Sequence, residues 1–358
     1  MKLRIGTLVL AAAMACHAWP ASAGFADPLH TPAVMSPLAA RGLFNAVTLA
    51  GPRVVAVGQR GHVLYSDDGG ATWNQASVPL SSDLASVRFA TPKDGWAVGH
   101  DGVVLVTHDA GASWTSQLDG RRLGSLLLGV YTADAPADLD AEARARWSAE
   151  AQRFADEGPD KPFLDVWFED ARHGWIVGAF GLLLRTEDGG RSWQPWMHRA
   201  DNPKALHLYA IRAIGTHLYV AGEQGLLLRL DRDRQHFEAL DLPYEGTLFG
   251  VVGDARGLVA FGLRGNALRS TDGGSTWTTL DTGLSVTLTA GAPSPDGALV
   301  LASQTGQLLV SRDAGATVAP LALPRRVPAS AVLPMRDGSL IIAGPRGLHR
   351  IVPAGTPE

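Results

Sequence analysis

Apolar and polar positions alternate in short runs along most of the chain, and the runs return at a fixed interval. Leu43-Phe44-Asn45-Ala46-Val47, Leu84-Ala85-Ser86-Val87-Arg88-Phe89, the stretch Phe163 to Phe168, Leu208-Tyr209-Ala210-Ile211, Leu248-Phe249-Gly250-Val251-Val252 and Leu288-Thr289-Ala290 each read as a strand. Period-two alternation places successive side chains on opposite faces of a sheet. A β-branched run follows and ends at a tight glycine turn, as in Val57-Gly58-Gln59-Arg60-Gly61-His62-Val63-Leu64 and Val177-Gly178-Ala179-Phe180-Gly181-Leu182-Leu183-Leu184. Glycines flanking two residues between apolar runs are hairpin chemistry.

A third signal closes each unit. Ser66-Asp67-Asp68-Gly69-Gly70-Ala71-Thr72-Trp73 recurs from Thr107 to Trp114, Thr186 to Trp193, Ser270 to Trp277 and, with valine replacing tryptophan, Ser311 to Val318. Its aspartates Asp68, Asp109, Asp188, Asp272 and Asp313 are 41, 79, 84 and 41 residues apart. The 84 is two periods, which predicts a degenerate copy running from Gly225 to Phe237. The 79 holds one period plus an insertion over about residues 120–161, because the unit restarts at Phe163. A seventh unit runs from Ala331 to Ile351 and stops before an Asp box.

Strands at this interval, with helical patterning confined to the insertion, predict an all-β fold: a seven-bladed β-propeller of four-stranded antiparallel blades. The insertion lies between blades two and three. Residues about 28–39 are expected to supply the strand that the last blade lacks and so close the ring. An open solenoid is the alternative. Within the insertion, Asp138 to Glu157 is helix-like, with Leu139, Ala143, Trp147 and Phe154 among charges and Asp138 as the candidate cap. The stretch Leu123 to Tyr131 is apolar, and both packing onto the disc and docking a partner are consistent with it.

Composition narrows the function classes. Thirty-one Lys plus Arg against 35 Asp plus Glu gives no basic footprint for nucleic acid. Lys2 and Arg4, the apolar Ile5 to Ala15 and the small residues Ala21-Ser22-Ala23 form a secretory signal, so residues 1–23 are expected to be removed and 24–358 to form one domain. The apolar stretch is too short to span a bilayer, which takes about 20 residues. The one cysteine, Cys16, falls inside the leader, which rules out a disulfide framework and a cysteine zinc site in the mature chain. Export without disulfides suits a bacterial periplasm. A lipoprotein acylated at Cys16 is the competing reading.

In the Asp box the short carboxylate can take hydrogen bonds from its own turn, and glycine takes the conformation that a Cβ disfavours. Five equivalent turns cannot converge on one substrate, so Asp68, Asp109, Asp188, Asp272 and Asp313 read as turn fasteners. Trp73, Trp114, Trp193 and Trp277 then mark blade packing. The turns between second and third strands share a face with the connections between blades, and the insertion rises from that rim. Candidate binding residues there are Arg60, His100, Asp101, Phe180, Glu223, Arg264 and Arg346, with Trp147 on the insertion. No metal ligand set and no cofactor motif is present: His-Glu-x-x-His, Gly-x-Ser-x-Gly and the phosphate-binding loop are all missing.

Asp boxes of the form Asp-Gly-Gly-x-Ser/Thr-Trp, paired with Asp94-Gly95-Trp96-Ala97-Val98-Gly99 and His173-Gly174-Trp175-Ile176-Val177-Gly178, resemble the photosystem II stability and assembly factor family of bacterial neuraminidase repeat (BNR) propellers. The insertion, with Gly158-Pro159-Asp160-Lys161-Pro162-Phe163-Leu164-Asp165, resembles the exported members from bacteria without photosynthesis. The resemblance implies a non-enzymatic protein-binding scaffold, an assembly or stability factor for a membrane or envelope complex. Sialidase-like glycoside hydrolysis is the alternative, since sialidases share the repeat. That chemistry needs an arginine triad and a tyrosine nucleophile with a glutamate base. Arg60, Arg264 and Arg346 share one turn position, but Tyr209 and Tyr244 lack the nucleophile's context, and the N-terminal Arg-Ile-Pro motif is missing.

Overall fold

The computed structural model describes residues 26–353; the expected leader, the alternative lipid site at Cys16 and the last five residues lie outside them. Seven antiparallel sheets follow one another along the chain, each a meander whose strands pair in sequence order. In the first these are Phe44–Ala50, Arg53–Gly58, Val63–Ser66 and Asn74–Gln75. The first strand of each sheet packs on the first strands of both neighbours, and that of the first sheet meets Ala331–Pro334 of the last. The ring is therefore closed, and the molecule is a seven-bladed β-propeller. Among the described residues no helix is long and apolar enough to cross a membrane.

The burial pattern explains the sequence pattern. Second strands such as Gly95–Gly99, Gly174–Gly178 and Leu340–Gly344 are buried throughout, because neighbouring blades cover both faces, and so they read as continuous apolar runs. The glycine ending this strand is a close-approach position. At Gly58, Gly99, Gly178, Gly222, Gly262 and Gly344 a Cβ would fall 2.0–2.6 Å from a carbonyl oxygen of the chain entering the same blade.

Each Asp-box carboxylate is fully engaged within its turn. Asp68 accepts from Ser66 Oγ at 2.7 Å, Thr72 N at 2.9 Å and Thr72 Oγ1 at 2.5 Å. Asp109, Asp188, Asp272 and Asp313 repeat the set with Thr107 and Ser113, Thr186 and Ser192, Ser270 and Thr276, and Ser311 and Thr317. Trp114 and Trp193 are buried behind their turns, while Trp73 and Trp277 are half-buried. The second box glycine presses on the preceding blade: Gly111 on Val55, Gly190 on Gln117, Gly274 on Leu240, Gly315 on Val259 and Gly70 on Ile341. In the fourth blade Asp231 instead caps a different turn through Asp233 N and Arg234 N, and Phe237 fills the tryptophan's place against Trp175.

These carboxylates carry a pH signature. The Thr72 and Thr276 hydroxyls, then the N–H groups of the same threonines, hold Asp68 and Asp272 far below the usual carboxylate range. Asp313 is lowered to about 2 by the Thr317 N–H and hydroxyl. A carboxylate depressed in the fold stabilises it above the unfolded value of about 3.9, and that contribution fades as pH falls through the folded value. The thermal midpoint is expected to be flat from pH ~7 to ~5 and to fall steadily from pH ~4 towards ~2. An unchanged midpoint at pH ~2, followed by circular dichroism, would contradict this assignment.

Two expectations are corrected. Among the described residues the last blade has three strands, Ala331–Pro334, Leu340–Gly344 and Gly347–Ile351, and residues 28–39 do not extend it. They lie instead along the first blade: Ala33 N donates to Val78 O, Ser36 N to Gln75 Oε1, and Gln75 Nε2 to Val34 O. The side-chain amide of Gln75 thus holds the segment on the first blade. In the insertion, α1 spans Gly120–Leu128 and α2 spans Ala141–Glu157. The cap of α2 is Asp140, which accepts from Ala143 N at 2.8 Å, and not Asp138, which pairs with Arg199 at 2.9 Å. Leu123, Leu127, Tyr131 and Phe154 are each at most 2 % exposed and share a core with Leu118, Phe163 and Trp196 of blades two and three. The insertion is thus part of the packed body.

Candidate functional site

The turns joining second and third strands hold a non-glycine residue in the left-handed region at Arg60, Asp101, Phe180, Gln224 and Arg264, with φ of 52–57°. A following glycine, also at positive φ, completes a type I′ hairpin in each. The seven anticipated rim residues divide by use. Arg60, His100, Phe180, Arg264 and Arg346 are exposed, and Asp101 and Glu223 are half-buried. Those two acids fasten links between blades: Asp101 accepts from Ser82 Oγ at 2.6 Å, and Glu223 from His207 N at 2.8 Å. Arg60, Arg264 and Arg346 stand on blades one, five and seven, and no contact joins them. Trp147 lies on α2 of the insertion. Its ring stacks on Tyr131 with centroids 5.3 Å apart inside the insertion, and the Tyr131 hydroxyl meets His198 Nδ1 at 2.9 Å.

Phe180 is the anticipated residue that joins a larger feature. Its ring, 39 % exposed, lies 4.9 Å from His207, and its backbone N–H donates to His207 Nδ1. Tyr209 follows at 6.3 Å from His207, and Phe249 at 5.1 Å from Tyr209. Arg153 of α2 and Lys161 stand 5.8 and 5.6 Å from the Phe180 ring. An aromatic stripe therefore runs from the insertion across the rim to the mouth of the central channel.

A repeated bulge delivers the last two rings. In each of the first six blades the innermost strand carries one extra residue against its partner: Asn45, Ala85, Leu164, Tyr209, Phe249 and Thr289. A bulge re-aims a side chain that the pleat would otherwise place on the sheet. All six line the channel, whose cavity volume is about 540 Å³. Burial, and then the Glu223 carboxylate, raise the Tyr209 hydroxyl above its ordinary pKa, so it stays a neutral donor.

Deeper in, the fifth residues of the innermost strands form a charged group that strand patterning did not single out. Arg88, Trp167 and Arg212 occupy this position in blades two, three and four. The Arg88 guanidinium lies 4.0 Å over the Trp167 ring, and its Nε has no hydrogen-bond partner among the described residues. Asp165, 2 % exposed, accepts from Ser86 Oγ at 2.6 Å, from Ile211 N at 2.7 Å and from Arg212 Nη1. Burial first, and then the Arg212 charge, push the Arg88 pKa down to about 10, against the pull of Asp165. Arg88 stays charged at neutral pH, and two guanidiniums face one carboxylate. The signal available in sequence was a charge at one fixed register of an otherwise apolar strand.

This arrangement suits recognition: aromatic faces, a phenol donor and a surplus cation in a channel. Among the described residues no cluster of three or more His, Cys, Asp or Glu is placed to hold a metal ion.

Comparison with known proteins adds the family. The family model described as photosynthesis system II assembly factor YCF48 matches residues 52–145 and 139–318. The photosystem II assembly lipoprotein Ycf48 of Synechococcus sp. (strain CC9902) is 30 % identical over 118 residues, which is 32 % of this chain and 35 % of that protein. The chain thus matches about a third of that relative's length. Among solved structures, YCF48 bound to D1 peptide is 18 % identical, covers 89 % of this chain and 95 % of its own, and superposes with a TM-score of 0.61. YCF48 from Cyanidioschyzon merolae is 16 % identical over 88 % of this chain and 97 % of its own, with a TM-score of 0.62. At these identities the solved structures speak for the fold.

Proposed function

The chain belongs to the family described as photosynthesis system II assembly factor YCF48, and from that premise we propose that it is an exported, non-enzymatic factor that holds a protein segment of a membrane or envelope complex during assembly. The observation carrying this reading is the aromatic stripe Phe180, His207, Tyr209 and Phe249, which leads from the insertion into a channel with two arginines at its wall. Aromatic side chains with a polar tip give large contact area at low entropic cost, and such residues dominate binding energy where they cluster. A peptide is what the solved YCF48 is described as binding, and a channel mouth lined by rings and donors suits an extended segment. Export by the leader and a periplasmic site of action belong to this proposal. The sialidase alternative gains nothing from the geometry, because Arg212 is already engaged by Asp165 and the rim arginines are dispersed over three blades.

Tyr209→Ala combined with Phe249→Ala tests the proposal. Both rings are half-exposed, so the fold should survive, while recovery of a membrane subunit with the tagged chain should fall about 10- to 100-fold, as loss of two anchoring rings implies. Undiminished recovery with the double variant, or turnover of a fluorogenic sialoside by the wild type, would overturn it.

A further inference from the structure

The seam between the last and first blades leaves a strand position open. In five blades the residue after the fourth strand donates to the carbonyl of the third strand's first paired residue: Ala76 N to Val63 O, Trp196 to Leu183, Leu240 to Leu227, Leu280 to Ala267 and Leu321 to Leu308, all at 2.8–2.9 Å. Leu348 occupies the same register in the last blade, opposite Ala343, and no fourth strand pairs with Gly347–Ile351 among the described residues. Alternation in an antiparallel ladder turns the N–H and C=O groups of Leu348 and Arg350 outward. Such an edge is a template for another strand.

Charge and surface at this place point to one kind of occupant. From Leu321 to Pro353 the chain carries five arginines, Arg325, Arg326, Arg336, Arg346 and Arg350, against one acid, Asp337, whereas the whole chain is net negative at −4. All five are exposed, and Arg350 already pairs with Asp337 at 2.7 Å, which leaves four arginines without a carboxylate partner among the described residues. Arg41, also exposed, sits beside Gly347 at the start of the edge, and Arg325 reaches His349 within it at 3.0 Å. Of the seven exposed large apolar side chains among the described residues, four lie in the segments flanking the gap: Val34, Met35 and Leu38 in the chain that turned away to the first blade, and Val352 just past the edge.

We propose that the last blade is completed by a partner: an extended acidic segment adds as an antiparallel fourth strand along Leu348 to Arg350, its main chain satisfied by the edge and its carboxylates by the surrounding arginines. The inference deepens the scaffold reading above and rests on it, since it names a second surface and the chemistry that the surface selects.

The test uses the full chain and a fluorescent eight-residue peptide alternating valine and glutamate, with a valine and lysine peptide as control. The acidic peptide should bind, the basic one should not, and binding should slow amide exchange at residues 347–351. Arg350→Pro removes an outward N–H, which an edge strand tolerates, and should weaken binding at least tenfold relative to Arg350→Ala, which removes the same guanidinium and its Asp337 pair but keeps the N–H. Arg325→Glu with Arg346→Glu reverses two exposed charges, with loss of the Arg325–His349 contact, and should weaken it similarly, which keeps the proposal testable if the proline variant misfolds. Binding that ignores both variants, protection elsewhere, an edge already protected in the free chain, or a dimer that disappears with Arg350→Pro would each overturn the proposal. Loss of the membrane subunit in the Tyr209 and Phe249 double variant with peptide binding at the edge intact would leave the scaffold reading standing separately.

Discussion

Replacing Asp165 by alanine is expected to destabilise the propeller by about 3–5 kcal/mol, the range for breaking a buried ion pair on one side. Its carboxylate ties three blades: Ser86 of the second, its own strand in the third, and both Ile211 N and Arg212 of the fourth. Alanine would leave the Ile211 N–H without an acceptor and two guanidiniums close together in a wall where burial already lowers the Arg88 pKa. Asp165→Asn keeps one acceptor oxygen and loses the charge, so it should fall between wild type and alanine. Adding Arg88→Met to Asp165→Ala should recover part of the loss by removing the like charge, and that coupling is what a double-mutant cycle measures. Urea unfolding decides the matter: a cost below about 1 kcal/mol for Asp165→Ala would mean that water in the channel replaces the carboxylate.

The propeller was legible because its signals are local and repeated. Alternation in strands, left-handed turn glycines and the Asp-box hydroxyls all act within a few residues, and repetition turns weak signals into an architecture. The channel site is of another kind. Arg88, Asp165 and Arg212 come from different blades, and each looks like an ordinary polar position in its own strand; closure of the ring makes them neighbours. Phe180 was found from its turn, yet its partners Tyr209 and Phe249 depend on a bulge that no residue type announces. The two corrected details have competing local chemistry as their cause. Asp140 rather than Asp138 caps α2 because Asp138 is engaged by Arg199 from another part of the chain. Residues 28–39 are expected as the fourth strand because the seventh unit stops short, but the Gln75 amide holds Val34 and Ser36 on the first blade.

That last difference makes the seam between blades seven and one the place where the ring depends most on side-chain packing. Every other pair of neighbouring blades is joined by a covalent link, whereas this pair is held by contacts alone. The core of the seam is Ala39, Phe44, Ala56, Leu64 and Ala343, with Trp73 against it. One position recurs as the seat for the next blade's Asp-box turn, three residues before the turn glycine. Val55 and Val259 receive Gly111 and Gly315, Trp96 Nε1 donates to Gly189 O, Tyr219 donates to Gly273 O, and Ile341 receives Gly70. Ile341 is fully buried, and a Cβ on Gly70 would lie 2.5 Å from its Cδ1. Ile341→Ala should therefore cost about 2–5 kcal/mol, as large-to-small changes in a packed core do. Its distribution should also differ from that of Val259→Ala, which empties the same seat where a covalent link still spans the boundary. For Ile341→Ala, amide exchange should accelerate first in residues 44–58 and 331–351, because an unlinked seam can open while the remaining blades stay folded. Equal acceleration throughout the ring, matching Val259→Ala, would mean that the closure is no weaker than the linked boundaries, and that the three-stranded last blade is held by more than the packing of this seam.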